Sequence, residues 1–82
     1  MDKEIGKVTH YFDKANVAVI ELIAGLKVGD RIHIKGATTD FEQEVESMQV
    51  EHKNITSAKK GEAVGLKVEE RVRPNDRVYL VG

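Results

Sequence analysis

The run Leu26-Lys27-Val28-Gly29-Asp30-Arg31-Ile32-His33-Ile34-Lys35 decides the reading of the fold. Its second half alternates strictly, with Ile32 and Ile34 on one side and Arg31, His33 and Lys35 on the other. That period of two is the pleat of a β-strand buried on one face. Its first half is a turn, because Gly29 before Asp30 supplies a residue that adopts positive φ without steric cost. A glycine turn feeding a half-buried strand is therefore the unit from which the chain is built.

The same unit recurs on both sides. Toward the N-terminus, Val17-Ala18-Val19-Ile20-Glu21-Leu22-Ile23 is β-branched and almost wholly apolar, which predicts a strand buried on much of both faces. Before it, Ile5 to Phe12 reads as a strand with Val8, His10 and Phe12 on one face and Lys7, Thr9 and Tyr11 on the other, followed by a turn at Asp13–Asn16. Toward the C-terminus, Phe41 to His52 is apolar at period two until the phase slips between Val45 and Met48. A one-residue slip turns every side chain to the opposite face, so a β-bulge near Glu46-Ser47, or a break into two strands, is expected there. Asn54 to Glu62 is polar and turn-like, and Gly61 before Glu62 repeats the turn signal. Ala63–Val68 alternates again, with Val64, Leu66 and Val68 inward and Gly65 marking a bend or a close backbone approach. Arg71–Asp76 carries the one proline, Pro74, and reads as a turn before a last strand, Arg77–Val81. Six or seven short strands at spacings of about ten residues predict a small all-β barrel or sandwich.

The 82 residues form one domain, 1–82. Cysteine is absent, which removes disulfides, thiolate metal sites and cysteine nucleophiles and suits a reducing compartment. Closing the sheet into a barrel would stabilise so thin a core by removing exposed strand edges. Charged residues are 33% of the chain, yet the formal net charge is −1. That balance argues against strong nonspecific nucleic-acid binding, which depends on neutralising phosphates. No apolar signal-like region and no run of about 20 apolar residues is present, so a cytoplasmic protein without membrane contact is expected.

Catalytic patterns are missing. Gly61 to Lys67 lacks the spacing of a phosphate-binding P-loop, and there is no nucleophile elbow or dinucleotide fingerprint. His10, His33 and His52 are far apart, with no carboxylate at metal-ligand spacing, so no metal or other cofactor is expected. Glu42, Glu44 and Glu46 alternate along one strand face, the pattern of a solvated edge rather than of an acid–base pair.

Taken in order, several short segments resemble domain II of the translational GTPases, such as elongation factor Tu and initiation factor two. They are Gly6-Lys7-Val8, Leu26-Lys27-Val28-Gly29-Asp30, Val45-Glu46-Ser47-Met48, Ala58-Lys59-Lys60-Gly61-Glu62-Ala63-Val64-Gly65-Leu66 and Arg73-Pro74-Asn75-Asp76. The last departs from that pattern, having Pro74-Asn75 where a glycine is usual. The first hairpin, Tyr11–Asn16, is more similar to the C-terminal barrel of the collagenase-like peptidases, some of which act in RNA modification. Either resemblance implies a small closed six- to seven-stranded antiparallel Greek-key barrel. With no GTPase domain in the sequence, it implies a non-catalytic binding module without nucleotide hydrolysis. Ribosomal RNA or tRNA would be the partner.

The residues that fit such a role are Lys59, Lys60, Arg71, Arg73 and Arg77, in or beside expected loops, where the arginine forks suit phosphate oxygens. The aromatic set is small for base stacking, with Phe12 and Phe41 expected in the core and Tyr11 and Tyr79 facing outward. The alternative is a protein–protein interaction or scaffold barrel that docks on an enzyme or translation factor. An exposed apolar patch that includes Ile55, Val72 or Val81 would mark it.

Overall fold

The structure is a computed structural model and describes residues 2–81. Its strands are β1 (Lys3–Phe12), β2 (Val17–Leu22), β3 (Leu26–Lys27), β4 (Arg31–Lys35), β5 (Asp40–Glu44), β6 (Met48–Val50), β7 (Lys53–Ile55), β8 (Ser57–Ala58), β9 (Ala63–Lys67) and β10 (Arg77–Leu80). Eight of them form one antiparallel sheet in the order β5-β4-β10-β1-β2-β9-β6-β7, and β3 pairs with β8. The described residues contain no helix, and so none long and apolar enough to cross a membrane.

The all-β expectation holds, but the closed six- to seven-stranded barrel does not. The sheet is a curled half-barrel whose edges, β5 and β7, are not hydrogen-bonded to each other. A side chain spans part of the opening. Gln43 on β5 is buried, its Nε2 donates to the carbonyl of Lys67 at 2.9 Å, and its Oε1 accepts from the N–H of Glu69 at 2.8 Å. One carboxamide thus satisfies main-chain groups that a strand ladder would otherwise pair.

The inward faces follow the alternation. Ile32 and Ile34, Ala18, Ile20 and Leu22, Val64 and Leu66, and Val78 make the core with Ile5, Val8, Val45 and Met48. The slip between Val45 and Met48 is resolved as a break, since β5 ends at Glu44 and β6 starts at Met48, both Val45 and Met48 being buried. Within Asn54–Glu62, expected to be turn, residues 54–55 and 57–58 instead fall in the short strands β7 and β8. β2 is less two-sided than expected. Val17 and Val19 are half-buried on its outer face, and Glu21 is exposed.

β1 carries two irregularities, one between Glu4 and Gly6 against β10 and one between Val8 and His10 against β2. Gly6 is required sterically, because a Cβ there would sit 2.7 Å from Ile20 Cγ2 and 2.8 Å from the Glu21 carbonyl oxygen. The second irregularity shifts the inward phase of the strand. Beyond Thr9, whose hydroxyl donates to the Val19 carbonyl at 3.2 Å, Tyr11 packs against the core and Phe12 is 56% exposed. Both aromatic assignments are therefore reversed from the regular alternation of the sequence. Phe41, like Tyr11, packs partly buried against the core.

Candidate functional site

Three turns with one design place the loops. Lys27-Val28-Gly29-Asp30, Lys59-Lys60-Gly61-Glu62 and Arg73-Pro74-Asn75-Asp76 each close with the fourth N–H donating to the first carbonyl, at 3.1 Å in all three. The third residue has left-handed φ in each: 99° at Gly29, 91° at Gly61 and 77° at Asn75. These are type II turns, which need that φ at their third position. The fourth residue is always acidic, and its carboxylate accepts the first residue's N–H: Asp30 at 3.0 Å, Glu62 at 2.6 Å and Asp76 at 2.9 Å. Asn75 takes the place of a glycine here because asparagine tolerates left-handed φ better than other non-glycine residues. At Gly65, by contrast, an added Cβ would meet Val17 Cγ1 at 3.4 Å and the Gln49 carbonyl at 3.7 Å, so no close backbone approach is found.

The five basic candidates do not converge. Lys59 and Lys60 lie in the second turn, exposed. Arg77, on β10, is committed to Glu4 of β1, Nη1 to Oε2 at 2.8 Å. Arg71 and Arg73 do come together. With His10, Tyr11, Val72 and Pro74 they line an open groove of about 600 Å³ between β1 and the β9–β10 loop. Val72, whose exposure would have marked a docking patch, is buried and anchors this loop. Ile55 packs partly buried on the core.

The apolar surface lies elsewhere. A second groove, of about 640 Å³, runs over the outer face of the sheet, with Val17, Val19, Ala63 and Gly65 among its lining residues and Phe12 exposed at its edge. Its register explains its shape. Val19 is opposite Gly65, and Gly65 is opposite Gln49, so a small residue sits between two larger ones. Glu51 and His52 line it as well. They form the two-residue loop between Val50 and Lys53, with φ of 52° and 66°. Two left-handed residues make this a type I′ hairpin, a conformation that favours Asn-Gly. Glu-His there stores backbone strain beside the groove. The sequence held a weak sign of this outer surface, since Val17 and Val19 were legible as apolar. The exposure of Phe12 depends on the register shift at Thr9 and had no local signal.

One titratable cluster is present that sequence spacing did not show. His33 on β4 lies between Asp40 Oδ1, 2.5 Å from Nε2, and Asp2 Oδ2, 3.4 Å from Nδ1. The hydrogen bond to Asp40 holds the imidazole pKa above its ordinary value, against an opposing effect of desolvation and with help from Asp2. The same bond holds the Asp40 carboxyl below its ordinary value. Among the described residues no three His, Asp or Glu side chains are grouped so as to hold a metal ion.

Comparison with known proteins places this architecture. The chain is 52% identical over 79 residues to an uncharacterised protease of Methanocaldococcus jannaschii, covering 95% of this chain and 19% of that protein. It is 39% identical over 77 residues to a collagenase of Porphyromonas gingivalis, covering 92% of this chain and 21% of that protein. The chain thus spans about a fifth of the length of the curated relatives it matches. In structure it resembles the C-terminal domain of a Geobacillus thermoleovorans protein described as a U32 peptidase, with a TM-score of 0.91 at 19% identity, covering 98% of this chain and 93% of that one. No family model matches the chain. The relatives named here are of the protease class and none is a translation factor. Of the two resemblances in the sequence, the collagenase-like barrel is the one that is matched, and the translation-factor one is not.

Proposed function

We propose that the chain is a non-catalytic, peptidase-associated β-domain that binds a protein partner through the apolar groove of its outer sheet face. The observation that carries this reading is the groove itself. Phe12 is 56% exposed beside a surface that includes Val17, Val19, Ala63 and Gly65, on a sheet face that a solvated domain would cover with polar side chains. The relatives support it, because each is a protein about five times longer in which the homologous segment has further chain to contact. The absence of cysteine suits a reducing, cytoplasmic setting. An RNA-binding role draws less support: Arg77 is neutralised by Glu4, and Lys59 and Lys60 do not line the groove that Arg71 and Arg73 share.

The test is a calorimetric titration of this chain into the Methanocaldococcus jannaschii relative from which the homologous fifth has been deleted, with retained folding of that remainder checked by circular dichroism. Saturable binding that Phe12→Asp weakens at least tenfold supports the reading. Absence of binding at concentrations of about 100 μM, where even a weak transient interface would register, counts against it.

A further inference from the structure

We infer that the Arg71/Arg73 groove selects the partner by charge, receiving a carboxylate-rich peptide segment that flanks the apolar anchor. This rests on the reading of the apolar groove as a protein-docking surface and names the chemistry of its occupant. Two observations carry it. The first is adjacency. His10 lines the cationic groove and Phe12, two residues along the same outer face of β1, lines the apolar one, so a single extended segment crossing the end of β1 meets both. The second is unsatisfied charge. Arg31 is held by Glu42 at 3.0 Å and Arg77 by Glu4 at 2.8 Å, each across neighbouring strands. Arg71 and Arg73, both exposed, have no ion-pair partner among the described residues. Their backbone is nevertheless fixed, because Val72 between them is buried and the Arg73 N–H is held by the Asp76 carboxylate at 2.9 Å.

Two guanidinium groups on an ordered loop, two residues apart, match carboxylates spaced along an extended chain, and the fork geometry of arginine favours paired oxygens. A peptide fits the neighbouring groove better than a nucleic acid does. The surface of Val17, Val19 and Ala63 is aliphatic, where a strand of bases would need several exposed aromatic faces. Tyr11 is half-buried, with its hydroxyl 3.3 Å from Asn16 Oδ1, which leaves Phe12 as the exposed aromatic of the apolar groove.

The test uses the 82-residue chain itself, panned against a display library of random dodecapeptides, in parallel with Arg71→Gln/Arg73→Gln and Phe12→Asp variants. The wild type is expected to enrich apolar residues accompanied by Asp or Glu at about three times their input frequency. The double-arginine variant should keep the apolar enrichment and lose the acidic one. A synthetic peptide of the selected sequence should bind that variant roughly fivefold more weakly, and the difference should shrink in high salt. Apolar enrichment with Asp and Glu at input frequency overturns this inference and leaves the docking surface standing. No enrichment by the wild type, or enrichment that Phe12→Asp leaves intact, overturns both. Tighter binding of a labelled oligouridine than of the best acidic peptide, lost in the double-arginine variant, overturns the inference in favour of nucleic acid.

Discussion

The carboxamide of Gln43 accepts the N–H of Glu69 at 2.8 Å and, through its other end, donates to the carbonyl of Lys67 at 2.9 Å. It ties the edge strand β5 to the chain leaving β9, two segments that no ladder joins. Replacing Gln43 with Leu removes the partner of the part-buried Glu69 N–H and Lys67 carbonyl, with an expected loss of about 1–2 kcal/mol in urea unfolding. Gln43→Glu keeps the acceptor but turns a carboxylate oxygen toward the Lys67 carbonyl. It should be less stable than wild type at pH 7 and recover part of that loss near pH 4, where the carboxyl can donate. Equal losses at both pH values would show that the bond to Lys67 contributes little.

The three acid-closed turns separate backbone strain from steric clash. A Cβ at Gly29 or Gly61 meets nothing within 4 Å, so the whole cost of Ala at either position is its left-handed φ, about 1–2 kcal/mol. Gly36 is different, since a Cβ built there collides with the carboxylate of Asp76, the residue that caps the third turn. Gly36→Ala must displace a buried acid from its hydrogen bond to Arg73 N–H and should cost more than either turn substitution, although Gly36 is exposed. Thermal melts of the three variants side by side check the order.

Alternation and glycine punctuation carried the reading of β4, β9 and β10, whose faces are set by local sequence alone. They did not carry β1. Val8, His10 and Phe12 share a parity, but the register shift opposite Val19 separates Val8, in the core, from Phe12, in solvent. Such a shift is set by the neighbouring strand and leaves no local pattern. The open sheet was illegible for the same reason, because whether β5 meets β7 depends on long-range pairing. Lys59, Lys60, Arg71, Arg73 and Arg77 were all visible as basic, yet Arg77 is neutralised by a glutamate 73 residues away in sequence.

The shifted phase of β1 can be measured directly. Tyr11 packs on the core and Phe12 does not, so Tyr11→Ala should cost about 2 kcal/mol while Phe12→Ala stays within about 0.5 kcal/mol of wild type. The reverse order in urea titrations would mean that β1 runs in regular alternation.

The type I′ hairpin at Glu51-His52 holds both residues at left-handed φ, and neither is a residue that favours it. Substituting Asn-Gly for the pair should raise stability by about 1–2 kcal/mol, with no change in the m-value, because the exposed loop contributes no core surface. A neutral result would show that the turn is relaxed, and the claim of strain beside the apolar groove would fall with it.

The His33–Asp40 pair makes stability depend on pH in two opposite senses. His33 titrates above its ordinary value of 6.5 in the folded state, so its contribution is complete below that pH and is lost as pH rises through the folded value. Asp40 titrates below its ordinary 3.8, so its contribution is present above that pH and is lost as pH falls through the depressed value. The pair therefore stabilises most between these limits, in mildly acidic solution. Because the Asp40 carboxylate is 67% exposed, the effect on melting temperature should be small and screened by salt. A proton NMR titration of the His33 ring is the sharper measure. Its midpoint should lie above 6.5 in the wild type and fall toward that value in Asp40→Asn, whereas Asp2→Asn should move it less, since Asp2 is the more distant partner at 3.4 Å. A midpoint unchanged by Asp40→Asn would mean that the imidazole and the carboxylate are not paired in solution, and the mildly acidic stability maximum would then be absent as well.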